Sequence, residues 1–107
     1  PLFTHTVVDE GDNVTLSCSY KTSGTTNYLH WYRQYSKSKP EFLLYIYQSG
    51  TLSENTPRRL SAEINNEKVD LLISFAAVSD SALYYCALAA GSDNRIYFGS
   101  GIKLVTE

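Results

Sequence analysis

The stretch Asp80-Ser-Ala-Leu-Tyr-Tyr-Cys86 decides the fold of this chain. Its side chains alternate as they do along a β-strand, and Tyr84 stands two positions before Cys86. Upstream, Trp31 follows Cys18 by 13 positions, and each lies in an alternating run of its own. These residues fit a sandwich in which a central bridge joins two sheets, an indole packs on the bridge, and a tyrosine hydroxyl binds the backbone at a corner. The sequence therefore predicts a two-sheet β-sandwich, with Trp31 and Tyr84 as structural residues.

The two cysteines, Cys18 and Cys86, are too few for a zinc site, which needs about four ligands. Neither His5 nor His30 stands at a metal-ligand spacing from them. Because both cysteines lie in apolar, strand-like runs, a disulfide is favoured, although two buried thiols remain the alternative. A bridge across 68 positions would stabilise the fold by about 4 kcal/mol and indicates an oxidising compartment. The sequon Asn13-Val-Thr, a possible N-glycosylation site, agrees with that location.

The remaining sequence has the composition of one all-β domain. Its 107 residues form short alternating runs separated by turn residues, and no window offers a long amphipathic helix. Nine Lys and Arg against eleven Asp and Glu give a net charge of −2, which argues against nucleic-acid binding. No apolar stretch approaches the roughly 20 residues that span a bilayer, and we expect no signal peptide within this stretch, because no basic, apolar, small-residue leader is seen. Nine tyrosines require amphipathic surroundings.

Catalysis is not expected, because an enzyme needs a positioned nucleophile, acid or base in a cleft. The sequence holds no nucleophile elbow, no phosphate-binding glycine loop and no metal cluster. The acidic turn at Asp9, Glu10 and Asp12 is expected to be a solvated hairpin rather than a calcium site. We therefore predict no enzyme activity, no catalytic residue, no cofactor and no metal.

Three motifs resemble the variable domains of rearranged antigen receptors: Tyr28-Leu-His-Trp-Tyr-Arg-Gln34, the stretch 80–86, and Phe98-Gly-Ser-Gly101. Within the first, Trp-Tyr-Arg-Gln is more similar to T-cell receptor chains than to antibody light chains. The segment Tyr-Tyr-Cys-Ala-Leu is similar to alpha or delta chains rather than beta chains. The chain as a whole resembles a T-cell receptor alpha chain variable domain. The alternatives are a delta variable domain, an antibody light-chain variable domain, and a non-rearranging V-type adhesion or innate receptor domain.

This resemblance implies an immunoglobulin V-type β-sandwich: all-β, two antiparallel sheets in a Greek key, and one inter-sheet disulfide between Cys18 and Cys86. It implies a single domain over residues 1–107, with a V segment over about 1–88, a junction over about 89–93 and a joining segment over about 94–107. Arg59 and Asp80 are expected to pair across the base of the sandwich.

One face of the sandwich is predicted to be an apolar patch. If Trp31 and Arg33 point inward, their neighbours in the alternation point outward, where an ordinary half-exposed sheet is polar. An apolar patch there marks a partner site, and the resemblance implies that the partner is the beta-chain variable domain, with Gln34 binding a glutamine of that partner. The predicted interface residues are Tyr32, Gln34, Pro40, Phe42, Tyr45, Tyr85 and Phe98.

The loops at one end are predicted to bind the ligand. They span residues 22–28, 47–52 and 87–97, with a fourth turn at 65–68 beside them, and the tip at 91–94 is expected to adapt on binding. The resemblance implies a ligand made of a peptide presented by an MHC molecule. Signalling subunits would act only through constant and membrane segments beyond this stretch, which would be the extracellular part of a plasma-membrane receptor. The predicted contacts are Tyr28, Tyr47, Gln48, Asp93, Asn94 and Arg95.

Overall fold

The computed structural model describes residues 4–20, 26–65, 67–93 and 95–107, and the side chains of residues 26 and 27 are not among them. One 3₁₀ turn, Val78–Asp80, interrupts the strands. In the part of the chain that is described, no helix is long and apolar enough to cross a membrane. The strands are β1 (Thr4–Val8), β2 (Val14–Ser19), β3 (Thr26–Gln34), β4 (Glu41–Tyr47), β5 (Leu60–Asn65), β6 (Lys68–Ile73), β7 (Ala82–Ala90) and β8 (Arg95–Thr106).

The strands form two sheets, in the orders β1-β8-β7-β3-β4 and β2-β6-β5. Each described pairing is antiparallel except one, since β1 lies parallel to β8 with Thr4 opposite Ile102. The predicted all-β sandwich is confirmed. The sequence pattern missed β1 altogether, and it predicted only the second half of β8, from Ile102 onward.

The core lies between the two sheets, and the disulfide crosses it. Cys18 on β2 is bonded to Cys86 on β7, with their Cα atoms 6.5 Å apart, so the bridge joins the three-stranded sheet to the five-stranded one. Trp31 is fully buried and lies opposite Cys86 in the β3–β7 pairing. The predicted disulfide is confirmed.

The corner before β7 is held by Asp80. Arg59 donates to both carboxylate oxygens of Asp80, at 2.9 and 3.2 Å, and the Ala77 N–H donates at 2.8 Å. Burial by itself raises the pKa of Asp80, but these hydrogen bonds outweigh burial and hold its pKa below the usual value. The Tyr84 hydroxyl donates to the Asp80 carbonyl at 2.6 Å, and burial raises the pKa of Tyr84 to about 12. The predicted Arg59–Asp80 pair and the Tyr84 corner are thus present.

Candidate functional site

The outward side of the five-stranded sheet carries a cluster of aromatic rings, which we call the aromatic face: Tyr32, Phe42, Tyr45, Tyr85 and Phe98. Tyr32 is stacked on Tyr85, with ring centroids 5.7 Å apart and planes 15° apart. Phe98 lies 5.6 Å from the Tyr32 ring, and Phe42 lies 5.7 Å from it on the other side. Phe42 is 48% exposed and Phe98 is 62% exposed. The predicted apolar patch is therefore a contiguous set of rings, open to solvent at Phe42 and Phe98.

Phe42 belongs to this face because of a β-bulge in β4. Trp31 lies opposite Leu44, but Tyr32 lies opposite Phe42, so Leu43 is an extra residue in the ladder. Strict alternation from buried Leu44 would have placed Phe42 in the core. The bulge reverses the alternation and turns Phe42 to the same side as Tyr32.

A second bulge in β8 has the same effect on Phe98. Tyr85 lies opposite Gly101 and Ala87 opposite Phe98, so Gly99 and Ser100 together face Cys86. A carbon atom attached at Gly99 would lie 2.7 Å from Cys86 Sγ and 3.3 Å from Cys18 Sγ. Glycine is therefore favoured at residue 99, because the disulfide occupies the space that a side chain would need.

The two non-aromatic members of the predicted interface, Gln34 and Pro40, lie beside the rings in the chain: Gln34 ends β3 and Pro40 stands just before β4. Gln34 is partly buried, and its Nε2 donates to the Ser38 carbonyl at 2.9 Å, which uses one of its two N–H groups. Pro40 is exposed and directly precedes β4. The remaining N–H and the oxygen of Gln34 are not used in that bond.

His30 lies under the aromatic face rather than on it. It is 8% exposed, its Nδ1 lies 3.0 Å from the Tyr32 hydroxyl, and its ring stacks on Tyr28 at 4.8 Å. The buried Nε2 has no hydrogen-bond partner among the described residues, and burial lowers the pKa of His30. The ring is therefore neutral at pH 7. An open depression of about 460 Å³ lies above it, lined by Tyr28, His30, Tyr32, Phe42, Tyr45 and Tyr47.

The turn after β4 presents Tyr47 and Gln48 at the end of the sandwich. The turn is closed by hydrogen bonds from Gly50 N to Tyr47 O at 2.8 Å and from Tyr47 N to Thr51 O at 2.9 Å. The Gln48 amide contacts the Tyr20 hydroxyl at 3.4 Å, which ties this turn to the end of β2. Of the first predicted loop, 22–28, residues 22–25 lie outside the described residues.

The third predicted loop is mostly strand. The β7–β8 ladder continues until Ala90 lies opposite Arg95, and Ala87 and Ala89 are buried. The prediction of a loop over 87–97 is therefore wrong in its extent: the pairing of Leu88 with Tyr97 makes this segment a hairpin, with turn residues at 91–93. Asp93 accepts a hydrogen bond from Arg95 N at 3.2 Å and forms an ion pair with the Arg95 guanidinium at 3.6 Å.

One predicted contact cannot be placed, and one exposed residue of the hairpin was not predicted. Asn94 lies outside the described residues, as does residue 66 of the fourth turn. Ile96, which the sequence did not single out, is 37% exposed on the hairpin beside the 53% exposed Tyr97. Its place in the predicted third loop, between Arg95 and Tyr97, was the available signal.

The two predicted surfaces are joined by aromatic rings. Tyr28 lies 5.5 Å from Tyr45 of the aromatic face and 6.0 Å from Tyr47 of the loop end. Tyr45 and Tyr47 also lie edge to face at 5.4 Å. The sequence predicted two separate surfaces, but the rings continue from one to the other, since β3 and β4 both carry aromatic side chains along their outward side.

Tyr35, to which the sequence assigned no role, holds two elements together. Its hydroxyl donates to the Ser79 carbonyl at 3.1 Å, and the Arg33 guanidinium lies over its ring at 5.0 Å from the centroid. A single sequence does not reveal this contact, because Tyr35 and Ser79 are 44 positions apart. Its role is structural.

The family model described as the immunoglobulin V-set domain matches residues 4–106. The chain is 34% identical to the T-cell receptor alpha chain V region RL-5 of Oryctolagus cuniculus, over 94% of this chain and 75% of that protein. It is 36% identical to the T-cell receptor alpha chain V region 2B4 of Mus musculus, over 92% and 74%. It is 35% identical to the T cell receptor alpha chain MC.7.G5 of Homo sapiens, of which it spans 37%.

Proposed function

Since the chain belongs to the immunoglobulin V-set family, among the T-cell receptor alpha chain V regions, we propose that it is an antigen-recognition domain that pairs with a beta-chain variable domain. The pair binds a peptide presented by an MHC molecule through the loop end. The function is equilibrium binding without chemistry. Signals from it pass through receptor segments and associated chains outside these 107 residues.

The observation that carries the pairing proposal is the exposure of Phe42 and Phe98. Two β-bulges turn these rings out of the core and onto one face with Tyr32 and Tyr85. A lone domain gains nothing from exposing them, whereas aromatic rings are enriched at the buried centres of protein interfaces. Gln34 offers its second N–H and its oxygen to a glutamine of the partner.

The experiment is sedimentation of the refolded domain mixed with a beta-chain variable domain. Phe98→Asp and Phe42→Asp place a charge in the middle of the proposed contact, so each should weaken pairing by at least about 100-fold, as loss of a central aromatic anchor does. The matched control is Phe75→Asp, which removes an equally exposed phenylalanine at the other end of the sandwich. Pairing that survives both Phe98→Asp and Phe42→Asp would contradict the proposal.

The ligand-binding proposal is tested separately by alanine substitution at the loop end. Tyr47 and Arg95 are the two described positions where we expect the largest losses in affinity, because a large ring and a guanidinium are typical binding anchors. Uniformly neutral effects at Tyr28, Tyr47, Gln48, Asp93, Asn94, Arg95 and Ile96 would exclude this end as the ligand site.

Transcripts from several cells of one individual distinguish an antigen receptor from a fixed receptor. Diversity confined to residues 87–97 is expected of a rearranged chain. An identical sequence there in every cell would instead identify a germline-encoded adhesion or innate receptor domain. The proposal of a beta-chain partner would then be wrong.

A further inference from the structure

The base of the sandwich, opposite the loop end, holds a contact between the turn before β2 and the turn after β6. Gly11 N donates to Ala76 O at 2.8 Å, and Ala76 N donates to Asp12 O at 2.8 Å. Beside these bonds, Phe75 N donates to Asn13 Oδ1 at 3.1 Å. Because its oxygen is held, the exposed Asn13 side chain has a fixed orientation, with its Nδ2 as the group not used in that bond.

Phe75 is unusual at this position. Its φ is 51°, in the left-handed region that disfavours bulky side chains, and its side chain is 68% exposed. Its carbonyl accepts a hydrogen bond from Arg59 Nη1 at 3.1 Å, and its N–H is bonded to Asn13. The backbone of Phe75 thus stabilises this turn, whereas its exposed ring takes no part in these bonds. Glycine or asparagine would adopt the same positive φ with less backbone strain. The sandwich alone therefore gives no reason for an aromatic ring here.

We propose that Asn13 is an N-glycosylated residue whose first sugar lies against the ring of Phe75. Asn13 begins the sequon Asn13-Val14-Thr15 on the open edge of the three-stranded sheet, where Asn13 and Thr15 are exposed and Val14 is buried. The hydrogen bond from Phe75 N to Asn13 Oδ1, at 3.1 Å, brings the backbone of the residue that carries the ring directly against the modified amide.

Both the modification of the Asn13 amide and the contact of a sugar with the Phe75 ring are chemically reasonable. In the modification, Nδ2 of Asn13 forms a bond to the anomeric carbon of a lipid-diphosphate-linked N-acetylglucosamine and gives up one proton. The bond from that carbon to the diphosphate breaks, and the diphosphate leaves with the electron pair. The attached pyranose presents a face of C–H groups, whose hydrogens carry weak positive charge. They are attracted to the negative face of an aromatic ring.

The site is independent of pairing and ligand binding. Asn13 directly precedes β2 of the three-stranded sheet, whereas the aromatic face belongs to the five-stranded one, and β2 runs from Val14 toward the loop end. A glycan at this base leaves both proposed surfaces open. Failure of the proposed function would not affect the glycan, and an unmodified Asn13 would not affect the proposed function.

The first test is occupancy. The domain is secreted from mammalian cells, and its intact mass is measured before and after removal of N-linked glycans. The parent should carry one glycan that is absent from Thr15→Ala, which keeps Asn13 but removes the sequon. A secreted parent without added mass at Asn13 overturns the proposal.

The second test is the contact with the ring. An endoglycosidase trims the glycan to a single sugar, and the folding equilibrium constant is compared with that of the same sequence made in bacteria. The sugar should raise this constant about 2- to 12-fold in the parent and in Phe75→Tyr, the range that aromatic contacts give. It should leave Phe75→Asn unchanged, which tolerates the positive φ but lacks the ring. An equal rise of the folding equilibrium constant in Phe75→Asn overturns the proposed contact between the sugar and the Phe75 ring.

Discussion

Substitution of Gly99 by alanine tests whether the disulfide fixes the bulge that exposes Phe98. The added carbon would lie 2.7 Å from Cys86 Sγ, about 1 Å inside an ordinary contact of 3.5–4 Å. The bridge cannot move aside, because Cys18 and Cys86 anchor it in both sheets. Overpacking of this kind costs roughly 1–3 kcal/mol. Reduced freedom of the unfolded chain offsets about 0.4–1 kcal/mol of it.

We therefore expect Gly99→Ala to lower the free energy of unfolding by about 1–2 kcal/mol, and the Tm by about 4–16 °C. Urea denaturation gives the first quantity and thermal denaturation the second. Ser100→Ala is the matched control, since it alters the same bulge at an exposed position and should change stability by less than about 0.5 kcal/mol. Strand propensity favours valine over glycine, whereas the clash makes Gly99→Val worse than Gly99→Ala. A Gly99→Ala protein as stable as the parent, or a more stable Gly99→Val, would refute the reasoning.

Three further predictions concern the corner and the buried histidine. Asp80→Asn should cost about 2 kcal/mol in urea denaturation, because it removes the charge from a buried carboxylate that accepts two hydrogen bonds from the partly exposed Arg59 guanidinium. Folding lowers the pKa of Asp80, so the stability that its carboxylate contributes is fully present above about pH 4 and is lost as the pH falls through the folded pKa. The acid-denaturation profile of Asp80→Asn should lack this loss of stability. Tyr84→Phe should cost about 1–3 kcal/mol at pH 7 by leaving the Asp80 carbonyl without its 2.6 Å donor, and equal stability to the parent would contradict this. Folding lowers the pKa of His30, so the unfolded chain takes up the proton first and stability should fall as the pH drops below about 6.5. Stability curves from pH 7 to pH 5 should be flatter for His30→Gln, and an unchanged slope would mean that His30 titrates normally.

The frame of the fold follows from the sequence because its determinants are local or paired by chemistry. The alternation of apolar residues gives seven of the strands, and the spacing around Cys18, Trp31 and Cys86 gives the bridge between the sheets. The Arg59–Asp80 pair was also predictable, since a buried carboxylate requires a cation. The first strand was not predictable, because β1 lies at an edge and its exposed side chains give no strong pattern.

The site is less predictable because it depends on interruptions of the pattern. Alternation alone would place Phe42 and Phe98 in the core, and only the family resemblance put them outside. Their orientation depends on two bulges, one at Leu43 and one at Gly99, whose positions are set by contacts with other strands and with the disulfide. The extent of the third loop was overestimated because its turn residues dominated the interpretation of the sequence. They give no sign that the residues on either side of them are paired.

If a ligand binds the tip of the β7–β8 hairpin, as proposed, the hairpin limits how much conformational freedom the chain loses on binding. Fixing one residue's backbone costs about 1–2 kcal/mol in conformational entropy. The ladder already orders the chain as far as Ala90 and Arg95. The paired residues of the hairpin therefore lose this entropy when the domain folds, and not when a ligand binds. Substitutions in the tip therefore change the contacts at the ligand without changing the framework that presents them. Diversity of sequence at this end is compatible with a constant, preorganised shape.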